Sequence, residues 1–158
     1  KFKTDMSVVK SVIKSNENRK SILADQMLKI LGTPKGKKVG FLGVTFKANT
    51  DDMRDSQCLK IFPKLLKKGV KISYYDPTGE KKELKNITFK KNAEEILSQN
   101  DLIVIHTEWD EFRSLNFKVV KSKKIKIFDL RNLYQPNSFS NKKIIYYSIG
   151  RPANDKKA

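Results

Sequence analysis

The chain reads as an α/β protein: a Rossmann-like parallel sheet in a three-layer α/β/α arrangement, preceded by a long N-terminal helix. Two observations predict it. From residue 38 onward, short apolar segments rich in β-branched and aromatic residues recur with polar or glycine-containing connections, as strands covered on both faces do. Between them lie stretches with helical spacing, which is the alternation that makes a parallel sheet. The first helix spans about 7–31, where Val8, Val9, Val12, Ile13, Ile22, Leu23, Leu28 and Leu31 recur at three- and four-residue steps before Gly32 and Pro34 stop it. A strand follows at 38–44, then a helix at about 56–68 that contains Pro63, where a missing backbone donor should bend it. Gly69 ends that helix and a strand at 70–75 completes a βαβ unit. A short helix near 93–98 precedes the strongest strand, 102–107, and strands at 125–130 and 144–149 finish the sheet.

With 158 residues and 38% hydrophobic content, the chain can bury one good core and not two comfortable ones. The expected organisation is a helix over 1–34, a sheet domain over 35–152 and a loose polar tail over 153–158. No apolar run approaches the ~20 residues that cross a bilayer, so no membrane partner is expected. Cys58 is the single cysteine; it excludes an intrachain disulfide and suits a reducing, cytoplasmic setting. A formal charge of +17 raises the question of nucleic acid, because phosphate neutralisation drives non-specific affinity. The lysines are scattered along the chain and most aromatics fall inside strands, which reads as a solvated basic surface and not as a nucleic-acid interface.

Open parallel sheets hold ligands outside the carboxyl ends of their strands. Three such ends are rich in chemistry. The first gives Phe46, Lys47 and Arg54, with Asn49, Thr50 and three aspartates between and beside them. The next gives His106, Thr107, Glu108 and Trp109, and the last gives Asp129, Arg131 and Asn132. Cations beside short hydrogen-bonding side chains suit an anionic guest.

The segment Phe46-Lys47-Ala48-Asn49-Thr50-Asp51-Asp52-Met53-Arg54 closely resembles the signature Phe-Lys-x-x-Thr-Asp-Asp-x-Arg of the UDP-glucose/GDP-mannose dehydrogenase family. Tyr75-Asp76-Pro77, Thr107-Glu108-Trp109 and Asp129-Leu130-Arg131-Asn132 follow in family order, and the last two resemble the UDP-glucose 6-dehydrogenase branch more than the GDP-mannose branch. The resemblance, from about 12 to 151, implies that Phe46, Lys47 and Arg131 contact a nucleotide sugar and that Arg54 approaches NAD. It implies oxidation of the sugar's C6 alcohol to a carboxylate in an NAD-dependent enzyme of the polysaccharide-precursor class. It also implies that NAD is bound mainly by an N-terminal domain, that the nucleophilic cysteine lies outside these residues, and that the enzyme is a homodimer. The chain starts at Lys1 without methionine and has no Gly-x-Gly-x-x-Gly, so the expectation is a C-terminal piece that is inactive alone. UDP-glucose is the expected substrate; GDP-mannose or a UDP-hexosamine are the alternatives, and a basic nucleic-acid module is the rival from another class.

Other candidates have plainer readings. Asp51, Asp52 and Asp55 lack a second set of hard ligands, so no metal is expected; Asp51 or Asp52 is expected to orient Arg54, and Asp55 or Ser56 to cap the next helix. Glu108, Asp110 and Glu111 are expected to start a helix. His106 has no serine elbow beside it and reads as a hydrogen-bonding residue, while Cys58 reads as a small buried hydrophobe. Trp109 suits either packing or a nucleotide base. No catalytic residue is expected.

Overall fold

The structure is a computed structural model that describes residues 6–120, 124–139 and 143–154, apart from the side chains of Ile13 and Glu17. Helix α1 (Ser7–Leu31) leads into β1 (Lys38–Leu42), α2 (Cys58–Lys67), β2 (Lys71–Tyr75), β3 (Thr88–Phe89), α3 (Ala93–Gln99), β4 (Leu102–Ile105), β5 (Ile125–Asp129) and β6 (Ile144–Ser148). Short 3-10 turns occupy Lys82–Leu84, Asp110–Ser114, Phe117–Val119 and Pro136–Phe139. The six strands lie in the order β3-β2-β1-β4-β5-β6, and every strand pairing is parallel.

Strand periodicity divides the core in two. On one face Val39, Phe41, Leu102, Val104 and Phe128 pack with Leu23, Ala24, Met27 and Leu31 of α1 and Ile61, Phe62 and Leu65 of α2. On the other, Leu42, Ile103, Ile105, Ile125 and Ile127 pack with Ile96 and Leu97 of α3 and with Trp109, Phe112 and Phe139. All four residues of β4 are buried, which is why its sequence is continuously apolar. Gly40 points at α3: a Cβ there would stand 2.6 Å from Ile96 Cγ2 and 2.6 Å from Asn100 Nδ2, so only glycine allows this helix to lie so close.

Several boundaries differ from expectation. The helix after β1 starts at Cys58 and runs through Pro63, whose ring sits on the exposed face, where the Leu59 carbonyl it orphans can bond to water. The two-residue β3 extends the sheet where no strand was expected. Helix α1 has the expected length, yet only its second half packs on the sheet; Val8, Val9, Val12 and Ile22 are exposed. The acids after β4 begin a 3-10 turn and not an α-helix. At the expected loose tail, Asn154 is tied down: its amide donates to Tyr146 O at 3.2 Å and its side-chain oxygen accepts from Tyr146 N at 2.8 Å. Residues 155–158 lie outside the described residues.

The strand order places the site. From β1 the chain moves outward through β2 and β3, then crosses back to β4 and proceeds the other way through β5 and β6. The direction switches between β1 and β4, and the crevice beyond their carboxyl ends is where such sheets accept ligands.

Candidate functional site

The loop beyond β1 is built from buried hydrogen bonds. Asp76, at the end of β2 and 1% exposed, accepts from the amides of Val44 at 2.9 Å and Thr45 at 3.3 Å through Oδ2. Its Oδ1 accepts from the Thr78 amide at 3.0 Å and lies 3.8 Å from the buried ammonium of Lys81. On the other side Thr107, at the end of β4, donates its hydroxyl to Thr45 O at 2.9 Å. Gly43, with φ +75, allows that approach, since a Cβ would stand 2.5 Å from Thr107 Cβ. The loop then closes on itself. Phe46 N donates to Asp52 O at 2.9 Å, and the Ser56 hydroxyl donates to Val44 O while accepting from Cys58 N at 3.2 Å. Asn49 takes a left-handed conformation, φ 60, which its short polar side chain tolerates.

Arg131 crosses the crevice. Its amide donates to Asp129 Oδ1 at 2.9 Å, and its Nε donates to His106 O at 2.7 Å. Its Nη2 reaches the Phe46 carbonyl at 3.5 Å, and Glu108 Oε2 stands 2.9 Å from Nε. Asp129 is itself fully buried and also accepts from Tyr134 N at 3.2 Å and the Tyr146 hydroxyl at 2.8 Å. One guanidinium thus meets the strand ends of β1 and β4 from the end of β5.

Phe46 and Arg131 are brought into contact, and Lys47 follows Phe46 on the same loop. The Phe46 ring is 48% exposed, and Lys47 is exposed with no side-chain hydrogen bond or ion pair among the described residues. Arg54 is not drawn into the crevice. Its Nε and Nη2 grip Asp52 at 3.0 and 2.7 Å, its side chain is 88% exposed, and it holds the Asp52 carboxyl down at about 2. Asp52 is therefore the aspartate that orients Arg54, and Ser56 is the residue that meets the helix amide.

Asp129 was expected at a strand end and Asp76 within a motif, but neither as a buried acceptor of backbone amides, and Lys81 was not singled out. An aspartate just before Pro77 signals a turn but not the amides it accepts from across the sheet. Lys81 sits in the charged run Glu80-Lys81-Lys82-Glu83 and carries no signal of burial.

The arrangement suits binding. It offers a fixed guanidinium, a lysine unpaired among the described residues and an exposed aromatic ring at one end of the sheet, a set that can meet a phosphorylated ligand with a ring system. The groups with nucleophile or base chemistry are enclosed. Burial, with the charge of Arg131, pulls His106 down to about 3, so the ring is neutral, and its Nε2 is buried without a partner among the described residues. Burial pushes the Cys58 thiol up, away from the reactive thiolate. Trp109 is 9% exposed and packs beside Phe112 in the second core, which resolves its two readings toward packing.

Residues 40–136 match the UDP-glucose/GDP-mannose dehydrogenase family, UDP binding domain. The chain is 36% identical over 155 residues to the UDP-glucose 6-dehydrogenase of Rhizobium meliloti (strain 1021), covering 94% of this chain and 36% of that protein. It is 38% identical over 156 residues to the UDP-glucose 6-dehydrogenase of Rickettsia prowazekii (strain Madrid E), with the same coverage of 94% and 36%. A solved UDP-glucose dehydrogenase from Pyrobaculum islandicum superposes with a TM-score of 0.75 at 25% identity, over 90% of this chain and 32% of that one. The chain spans about a third of the length of the relatives it matches. The family match over the β1–β5 crevice, with relatives above 30% identity across nearly the whole chain, places this protein in the UDP-glucose/GDP-mannose dehydrogenase family, whose UDP binding domain it carries.

Proposed function

We propose that this chain is the nucleotide-sugar-binding domain of an NAD-dependent UDP-glucose 6-dehydrogenase that oxidises UDP-glucose to UDP-glucuronate. The observation that carries the proposal is Arg131, which ties the Phe46 carbonyl to the His106 carbonyl and leaves guanidinium N–H groups at the crevice between β1 and β4. A diphosphate there meets Arg131 as a fork and Lys47 as a point charge, while the Phe46 ring covers part of the sugar or base. The similarity to UDP-glucose 6-dehydrogenases supports UDP-glucose among the nucleotide sugars.

The residues present fit only a peripheral contact with NAD. Both glycines of the first strand–loop are closed by the protein's own atoms, Gly40 by α3 and Gly43 by Thr107, so neither leaves a cradle for a pyrophosphate. Arg54 is 88% exposed, its Nη1 has no partner among the described residues, and it can touch a cofactor held by another domain. An NAD held there, with Arg54 at its edge, would supply the hydride acceptor for two oxidations, which with one water would take the alcohol to a carboxylate and release two NADH and three protons. The role of this chain is to bind and orient the substrate and to close the site; alone it is inactive. The exposed Val8, Val9, Val12 and Ile22 of α1 supply an apolar face for the remainder of the enzyme and its homodimer partner. Action on a sugar nucleotide inside the cytoplasm fits a domain with no helix, among the described residues, able to cross a membrane.

The test is titration of UDP into the full-length protein that carries this chain, beside Lys47→Ala and Arg131→Ala. Each substitution is expected to weaken UDP about ten- to a hundredfold. Unchanged affinity in both folded variants refutes the crevice as the nucleotide site.

A further inference from the structure

Glu108 stands out among the residues around the crevice. Its Oε2 is buried and makes no hydrogen bond among the described residues, yet it lies 2.9 Å from Arg131 Nε. The single Nε hydrogen is directed at His106 O, 2.7 Å away, so Glu108 meets the guanidinium by charge and not by a second hydrogen bond. A buried carboxylate oxygen left without a donor is destabilising, and a fold that keeps one gains something elsewhere.

The mount of this carboxylate is rigid. Glu108 lies between two buried residues: Thr107, fastened to Thr45 O at 2.9 Å, and Trp109, packed in the second core. Arg131 is fastened through its amide to the buried Asp129. The two charged side chains are thus presented to each other by fixed backbone, and both remain about one-third exposed, at 39% and 32%. Contacts on Arg131 are unevenly distributed. Nε faces His106 O and Glu108, Nη2 has only the long contact to Phe46 O, and Nη1 has no partner among the described residues. The edge formed by Nη1 and Nη2 is the one left to form paired hydrogen bonds with an oxyanion.

We propose that Glu108 is a positioning residue: it holds the Nε side of Arg131 against the end of β4 so that the Nη1–Nη2 edge faces the phosphate of the substrate. The inference rests on the reading of the crevice as the nucleotide-sugar site. A free arginine side chain has many rotamers, and fixing its inner end before the ligand arrives lowers the ordering cost of binding. The competing effect is repulsion between Glu108 and the ligand's phosphates, whose removal would tighten binding. The two effects have opposite signs in a Glu108 variant, so the measurement separates them.

The experiment uses the full-length protein with Glu108→Ala, Glu108→Gln, Glu108→Asp, Arg131→Ala and the double variant Glu108→Ala/Arg131→Ala. It measures the Kd for UDP by calorimetry, KM and kcat for UDP-glucose, and Tm to establish folding. Glu108→Ala is expected to weaken UDP and raise KM roughly tenfold with kcat within about twofold. Gln, which keeps the reach but loses the charge through which Glu108 meets the guanidinium, should resemble Ala and supplies the test if the Ala variant does not fold. Asp, which keeps the charge with one methylene less reach, should fall between Ala and the parent. In the Arg131→Ala background, Glu108→Ala should change nothing, because its effect passes through that guanidinium. Parent-like or tighter binding by Glu108→Ala or Glu108→Gln, or equal losses with and without Arg131, overturns the positioning role. An Arg131→Ala variant that binds UDP like the parent instead overturns the crevice reading, and the inference with it.

Discussion

Replacing Asp76 with asparagine tests whether the loop beyond β1 hangs from a single buried carboxylate. The substitution keeps the shape but puts an NH2 group where one oxygen was. That group then faces either the amides of Val44 and Thr45, 2.9 and 3.3 Å from Oδ2, or the Thr78 amide and the Lys81 side, 3.0 and 3.8 Å from Oδ1. In either orientation buried donors lose their acceptor, at about 1–3 kcal/mol each. The ammonium of Lys81, 5% exposed, also loses its counter-charge, a loss that approaches about 3 kcal/mol when a buried pair is broken outright. Partial compensation by the retained amide oxygen brings the total to about 3–5 kcal/mol, a large share of the about 5–15 kcal/mol that holds a domain together. Urea unfolding should show that loss, and Tm should fall by on the order of 10 °C. Adding Lys81→Met should recover part of it, because the orphaned cation is gone. A loss below about 1 kcal/mol for Asp76→Asn, or strict additivity with Lys81→Met, would show that the loop does not hang from this carboxylate.

Three further outcomes follow from the same geometry. His106 has a native value of about 3 against an ordinary 6.5, so between those values only the unfolded chain takes the proton. Native stability therefore falls as pH drops through 6.5 toward 3, by up to about 1.4 kcal/mol per pH unit, and a His106→Asn variant should show a flatter unfolding profile over that window. Gly43→Ala combines a φ of +75 with a Cβ 2.5 Å from Thr107 Cβ and should cost about 2–5 kcal/mol. Gly79→Ala, with φ +85 and no atom within 4 Å, isolates the conformational part, so equal losses in urea unfolding at the two positions would contradict the close approach. Arg131→Lys should not rescue UDP binding in calorimetry, since a lysine cannot hold His106 O and still offer a paired edge to a phosphate.

Much of the fold was legible because the sheet is covered on both faces. Leu102–Ile105 is apolar at every position since its alternate side chains enter different cores, and no helix of ordinary amphipathicity has that pattern. Thr88–Phe89 was not legible: two residues cannot display a period, and the strand exists because Tyr74 and Ser73 on β2 offer it an edge. The first half of α1 was expected to present an apolar face, and the sheet domain does not cover it. At the site, Phe46, Lys47 and Arg131 came from motif resemblance, while their support did not. The reach of Asp76 to Val44 spans 32 positions, and that of Arg131 to Phe46 spans 85, distances that local spacing cannot reveal. Lys81 defeats composition outright, since a lysine in a charged run reads as solvated until its partner Asp76 is seen beneath it.

NADH formation by the full-length protein with UDP-glucose, beside GDP-mannose and a UDP-hexosamine, tests most directly whether this crevice serves a nucleotide-sugar dehydrogenase. The expected result is about two NADH per UDP-glucose consumed, as hydride transfer at both oxidation steps requires, with strong impairment by Arg131→Ala. A folded full-length protein that forms no NADH with any of these nucleotide sugars, or one indifferent to Arg131→Ala, would contradict it.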